Sequence, residues 1–170
     1  MCWCTRKTNT SGVVKCPALF PTGHAKKDER YMQPHIEEAL RSLRVAARDI
    51  RAFHVLKDAP EIDLASVCFH AQQAIEKSLK AVLLLSQVEF RRTHDLVELA
   101  QLLRQHGVEA PVASDQLSRL SPFAVALRYD NIGISIITRE EAANLVKLTY
   151  DWAEALVQTA TGVSDIPNDQ

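Results

Sequence analysis

Between Asp63 and Val88, apolar side chains return every three or four positions: Leu64, Val67, Cys68, Ala71, Ile75, Leu79, Val82 and Leu83. That period belongs to an α-helix and not to a strand, and a band this wide predicts the most buried helix of a bundle. Such a helix needs partners, and the rest of the chain supplies them. The first stretch, about Gln33–Lys57, carries Ile36, Leu40, Leu43, Ala47, Ile50 and His54 on one stripe. Glu37, Glu38, Arg41, Arg44, Arg48 and Arg51 cover its other face, and Asp58-Ala59-Pro60 ends it, because proline disfavours helix in the residue before it.

A shorter helix is predicted at about Asp95–Gln105, opened by Asp95 as N-cap with Glu98 in a box-like pattern and stopped by Gly107. Val112–Tyr129 reads as helix with a break at Ser121-Pro122, where the serine caps and the proline starts a second piece. Leu117, Leu120, Ala124 and Leu127 are its inward residues. Asp130–Ile137 is a non-helical insert whose alternating Ile132, Ile134 and Ile136 fit a short extended segment. Thr138 caps the last helix with Glu141 as box partner, and its buried stripe is read as Leu145, Leu148, Thr149, Trp152, Leu156 and Thr159, ending at Gly162. Short connections make neighbours antiparallel, so the expected fold is all-α: an antiparallel up-and-down bundle of four to five helices.

Composition narrows the classes of function. A chain of 170 residues suits one domain, and a formal net charge of -1 gives no global field towards nucleic acid or an anionic membrane. No stretch approaches the roughly 20 apolar residues of a membrane span. The N-terminus lacks the pattern of a secretory signal, and the four cysteines form no disulfide framework. A cytoplasmic location without membrane contact is expected. Residues 1–31 show neither helical nor strand period and read as a disordered tail, 32–160 as the bundle and 161–170 as a C-terminal tail. Met32 stands where regular structure begins and is the alternative start of translation. Cys2, Cys4, Cys16 and His24 match no zinc-ligand spacing, so no metal and no cofactor are expected.

Three constellations carry chemistry. Along the second helix His70, Gln73, Lys77 and Lys80 form a polar ridge with Glu76 beside it. One-turn pairs such as Gln73–Lys77 and Glu76–Lys80 can serve the helix alone; alternatively, the lysines face a cleft and bind phosphate. In Thr93-His94-Asp95, Asp95 caps a helix and His94 sits beside its N-terminus, where the positive end of the dipole disfavours a charged imidazole. The functional reading makes a neutral His94 a base or nucleotide contact. In Arg128-Tyr129, Arg128 either ends a helix or clamps an anion with its bidentate fork.

Gln72-Gln73-Ala74-Ile75-Glu76-Lys77-Ser78-Leu79-Lys80-Ala81, then Thr93-His94-Asp95-Leu96, then Arg128-Tyr129 before the last helix, together resemble the HEPN family (higher eukaryotes and prokaryotes nucleotide-binding) over about Met32–Val157. The resemblance implies a helical bundle that dimerises. It also implies either of two activities: a module paired with a minimal nucleotidyltransferase, often as a toxin–antitoxin system, or a metal-independent ribonuclease. The nuclease signature is an Arg followed four to six residues later by a His. After Arg128 no His follows at that spacing, and Arg30–His35 and Arg48–His54 match it only away from the motif position. In-line attack by a 2′-hydroxyl needs a proton carrier. The expectation is therefore no catalytic residue and a nucleotide- or partner-binding homodimer, with Gln73, Lys77, Lys80, His94, Asp95, Arg128 and Tyr129 as its ligand-binding residues. The alternatives are an RNA-cleaving enzyme pairing Arg128 with His94, and a purely structural dimer.

Overall fold

The computed structural model describes residues 33–126 and 137–162. The chain divides into Met1–Tyr31 and Met32–Gln170, and every described residue lies in the second unit. The expectations for residues 1–31, for Leu127, for the insert up to Ile136 and for the tail beyond Gly162 fall outside the described residues.

Among the described residues six helices follow one another: α1 (Pro34–Lys57), α2 (Leu64–Leu85), α3 (Leu96–Gln105), α4 (Ser114–Leu120), α5 (Phe123–Ala126) and α6 (Arg139–Thr161). No strand occurs among the described residues, and the fold is the helical bundle that the periodicities predict. The α1–α2 pairing is antiparallel. Ser42 Oγ donates to the Lys77 carbonyl at 2.8 Å, and two turns further along α1 Asp49 meets His70 at 3.1 Å, two turns back along α2. α6 begins where α1 ends and so runs back along α1 in the direction of α2, as alternate helices of an up-and-down bundle do.

The central helix is α2. Val67, Cys68, Ala71, Ile75, Leu79, Val82 and Leu83 are all buried, each large apolar side chain contributing about 1.5–3 kcal/mol. Burial pushes the Cys68 thiol up to about 11, so it stays protonated and packs as a small apolar group, as its place in the helix predicts. α2 stops at Leu85, earlier than the sequence period implies. Gln87 takes a left-handed φ of 55°, its N–H returns to the Leu84 carbonyl, and the Val88 N–H returns to Leu83 at 2.9 Å. That double return closes the helix and folds Val88 back into the core. α3 ends the same way, with Gly107 at φ +79° in the left-handed position that glycine occupies without strain.

Four local expectations are corrected. On α1 the core side is Ala39, Leu40, Leu43, Ala46 and Phe53, while His54 is exposed. On α6 it is Ala142, Leu145, Val146, Thr149, Ala153 and Val157; Leu148 is 52% exposed and Thr159 is exposed too. In both helices the true stripe is rotated by up to one residue step, because small alanines line the close contacts and large side chains at the rim look equally apolar in sequence. Glu98 does not close a capping box on Asp95; it binds Arg91 and Thr93 instead. Ser121 ends α4, and its hydroxyl accepts the Leu96 N–H at 3.1 Å, capping α3 from 25 residues away. The Thr138–Glu141 box is formed as predicted, with Glu141 N–H to Thr138 Oγ1 at 3.1 Å and Thr138 N–H to Glu141 at 2.8 Å.

Candidate functional site

Gln72, Glu76 and Lys80 stand one turn apart on α2 and form a single row. All three reach the loop in front of α3. Gln72 Nε2 donates to the His94 carbonyl at 3.0 Å, Lys80 Nζ donates to the Thr93 carbonyl at 2.9 Å, and the His94 ring donates from Nδ1 to Glu76 at 3.0 Å. Two successive loop carbonyls and one imidazole are thereby fixed to three consecutive turns of the central helix.

Glu76 is the hub. Only 2% of its side chain is exposed, yet it accepts from Lys80 at 2.7 Å, from Gln72 at 3.1 Å and from His94. Burial by itself would raise this carboxyl, but the hydrogen bonds from Lys80 and His94 outweigh that and hold it below its ordinary value. An ionised carboxylate only accepts, so Nδ1 of His94 must carry its proton. The remaining nitrogen, Nε2, is then the group that can accept or give a proton at the surface, and the His94 side chain is 66% exposed. A buried charge survives only when paired and hydrogen-bonded, which is why the row needs all three members.

A second row joins the first. Lys77 Nζ donates to Gln73 Oε1 at 2.6 Å, and Gln73 Nε2 donates to Gln72 Oε1 at 2.7 Å, so hydrogen bonds run unbroken from Lys77 to His94. Lys80 also lies 5.9 Å from the centre of the Phe90 ring. Asp95 caps α3, accepting from the Val97 and Glu98 N–H groups. The structure thus brings Gln73, Lys77, Lys80, His94 and Asp95 to one region around the start of α3. Arg128 and Tyr129 lie outside the described residues. Gln72 and Glu76, outside the ligand-binding set expected from the sequence, make the buried contacts to the loop. The available signal was a glutamine and a glutamate placed among apolar residues on a buried face, where each must find a partner.

No group of three or more His, Cys, Asp or Glu that could hold a metal ion occurs among the described residues. No helix of the described residues is long and apolar enough to cross a membrane.

A family model described as "HEPN domain" matches residues 32–159. The chain is also similar to a crystal structure described as an archaeal HEPN homologue. That match has 19% sequence identity, covers 72% of this chain and 97% of that one, and has a TM-score of 0.46. None of the curated proteins matches this chain.

Proposed function

We propose a function from one established premise: the chain belongs to the HEPN domain family. On that premise it is a non-catalytic module that binds a nucleotide, a protein partner or both. It acts as a homodimer in the cytoplasm with a minimal nucleotidyltransferase, in a toxin–antitoxin or stress system. One observation carries the reading. Gln72, Gln73, Glu76, Lys77 and Lys80 of the α2 ridge are committed to one another and to the loop, His70 is turned to Asp49, and His94 presents its second ring nitrogen outward. Phosphoryl transfer through a 2′-hydroxyl needs both a base and an acid. A single imidazole on a rigid, hydrogen-bonded platform suits recognition better than such a reaction. His94 is the nucleotide contact, Lys77 supplies charge nearby, Gln73, Lys80 and Asp95 keep the loop in position, and Arg128 with Tyr129 completes the site.

The test is calorimetric titration of the full-length protein with ATP, together with co-purification alongside a small nucleotidyltransferase from the same genome. Uptake of ATP that is lost in His94→Ala, or co-elution of the pair, supports the module. A protein that takes up no nucleotide and never co-elutes with the transferase contradicts it.

A second reading, a metal-independent ribonuclease pairing Arg128 with His94, draws on the Glu76–His94 hydrogen bond, since a carboxylate that fixes one ring nitrogen orients the other for proton transfer. RNA cleavage in EDTA by wild type, but by neither Arg128→Ala nor His94→Ala, is its signature. Equal cleavage by all three points to a contaminant.

A further inference from the structure

Most described cations have partners. Lys57 meets Asp58, Lys80 meets Glu76, Arg91 meets Glu98, Arg119 meets Glu141 and Lys147 meets Asp151. Arg41, Arg44, Arg48 and Arg51 differ: among the described residues none of the four makes a hydrogen bond or an ion pair. They recur at steps of three and four on α1, so they form one stripe, and the buried Leu43, Ala46 and Phe53 lie round the helix on the core side. Arg41, Arg48 and Arg51 are exposed and Arg44 is half-buried. Arg51 acts electrostatically on the Tyr150 phenol without bonding to it.

No carboxylate breaks the stripe. Glu37 and Glu38 precede it, and Asp49, on the flank, is turned to His70 at 3.1 Å. Small side chains border it, namely Val45, Ala47 and Ala52. In a chain of net charge -1, a run of four unpartnered guanidinium groups on the outermost face of a helix concentrates positive charge along about 15 Å.

We propose that this face of α1 docks on duplex DNA, laying its arginines along the major groove and the flanking phosphates. Three physical arguments select that occupant. An acidic protein would need an apolar anchor of some size, because exposed ion pairs contribute little affinity; between Arg41 and Arg51 the stripe contains no apolar side chain, and Val55, 74% exposed one turn beyond Arg51, is a single small one. Single strands are held by stacking on aromatic side chains, and the stripe contains none. The major groove of A-form RNA is too deep and narrow for side chains to read, whereas the roughly 12 Å groove of B-form DNA admits a helix. Guanidinium forks match both phosphate oxygens and the guanine edge in that groove. The proposal concerns the outer face of α1 and does not rest on the nucleotide-binding reading of the Glu76–His94 region.

The test is fluorescence anisotropy of the full-length protein with a labelled DNA duplex, the RNA duplex of the same sequence, a single DNA strand and poly-glutamate. Four phosphate contacts give roughly a 150-fold loss of affinity between about 50 and 200 mM salt, and each Arg→Gln change removes about one unit of the logarithmic salt slope. The expected result is tightest binding to duplex DNA, a stepwise flattening through Arg48→Gln, the Arg44→Gln/Arg48→Gln double and the fourfold variant, and no change for Arg104→Gln on α3. The single and double variants carry the test if the fourfold one does not fold. Equal binding by all variants, no binding by wild type, or tighter binding to RNA, single strands or poly-glutamate would each overturn the proposal.

Discussion

The Glu76 carboxylate on α2 accepts the Nδ1 proton of His94 at 3.0 Å, across the turn that separates α2 from α3. The same carboxylate is closed off from solvent and neutralised by Lys80 at 2.7 Å. One side chain therefore orients the exposed imidazole and locks the loop that carries it.

Acid should release this lock. The hydrogen bonds to Glu76 hold its folded-state value below the ordinary 4.5, against the opposing effect of burial. A folded value below the unfolded one means that the unfolded chain binds the proton more readily. The stabilisation is then complete above about pH 4.5 and disappears as pH falls through the lower folded value. Glu98 and Asp63 shift the same way, through hydrogen bonds from Arg91 and Ser66 respectively. Urea midpoints measured from pH 7 down to pH 3 should fall less steeply in Glu76→Gln than in wild type. Parallel curves would remove Glu76 from this role. At pH 7, Glu76→Ala should cost about 3–5 kcal/mol, because it strands the Lys80 ammonium.

Arg139 should prove as costly to remove as a core residue. It opens α6, and its guanidinium donates to the carbonyls of Lys57 and Ala59 at 2.8 Å, of Leu56 at 3.2 Å, and of Ile62. These carbonyls lie at the end of α1 and in the turn into α2, where those of Leu56 and Ala59 otherwise accept only from the turn's own N–H groups, so one side chain caps a helix about 80 residues away in sequence. Arg139→Ala should lower stability by about 2–4 kcal/mol in urea denaturation. Arg139→Lys should recover less than half, since an ammonium lacks the planar fork. Full recovery by lysine would show that charge alone matters.

Two caps should differ in reach. Thr138→Ala removes a local cap and Ser121→Ala a distant one, each costing about 1 kcal/mol. Hydrogen exchange should separate them: the first turn of α6 loses protection in Thr138→Ala, and that of α3 loses it in Ser121→Ala. Faster exchange at the start of α5 instead of α3 in the serine variant would restore the sequence-based reading of Ser121 as a cap for the piece that follows it.

Leu145 and Leu148 are a matched pair for locating the α6 stripe, the first 3% exposed and the second 52%. Leu145→Ala should cost about 2–5 kcal/mol and Leu148→Ala under about 1 kcal/mol by thermal or urea denaturation. Similar losses in both would mean that Leu148 is covered in solution by something beyond this single chain.

Periodicity and capping are local, and local signals were legible. The helical class, the central place of the second helix, the Asp95 and Thr138 caps and the Gly107 stop all depend on residues within a few positions of each other. The helices' rotation was less legible, because alanine and leucine both count as apolar while only close approach to a neighbour decides which is buried. The motif residues of α2 and the Thr93-His94-Asp95 loop were visible as a set, but their order of importance was not. The sequence reading favoured Gln73 and Lys77, whereas packing puts Gln72 and Glu76 on the buried side facing the loop.

By itself, then, the amino-acid order determined which segments coil, where they start and stop, and which family the chain belongs to, because hydrogen bonding and side-chain period within a helix operate over three to five residues. Tertiary structure alone decided that Glu76 meets His94, that Arg139 caps α1, that Ser121 caps α3 and that four arginines of α1 find no partner among the described residues. Those outcomes depend on which side chains meet when distant segments pack, and no spacing along the chain encodes that distance.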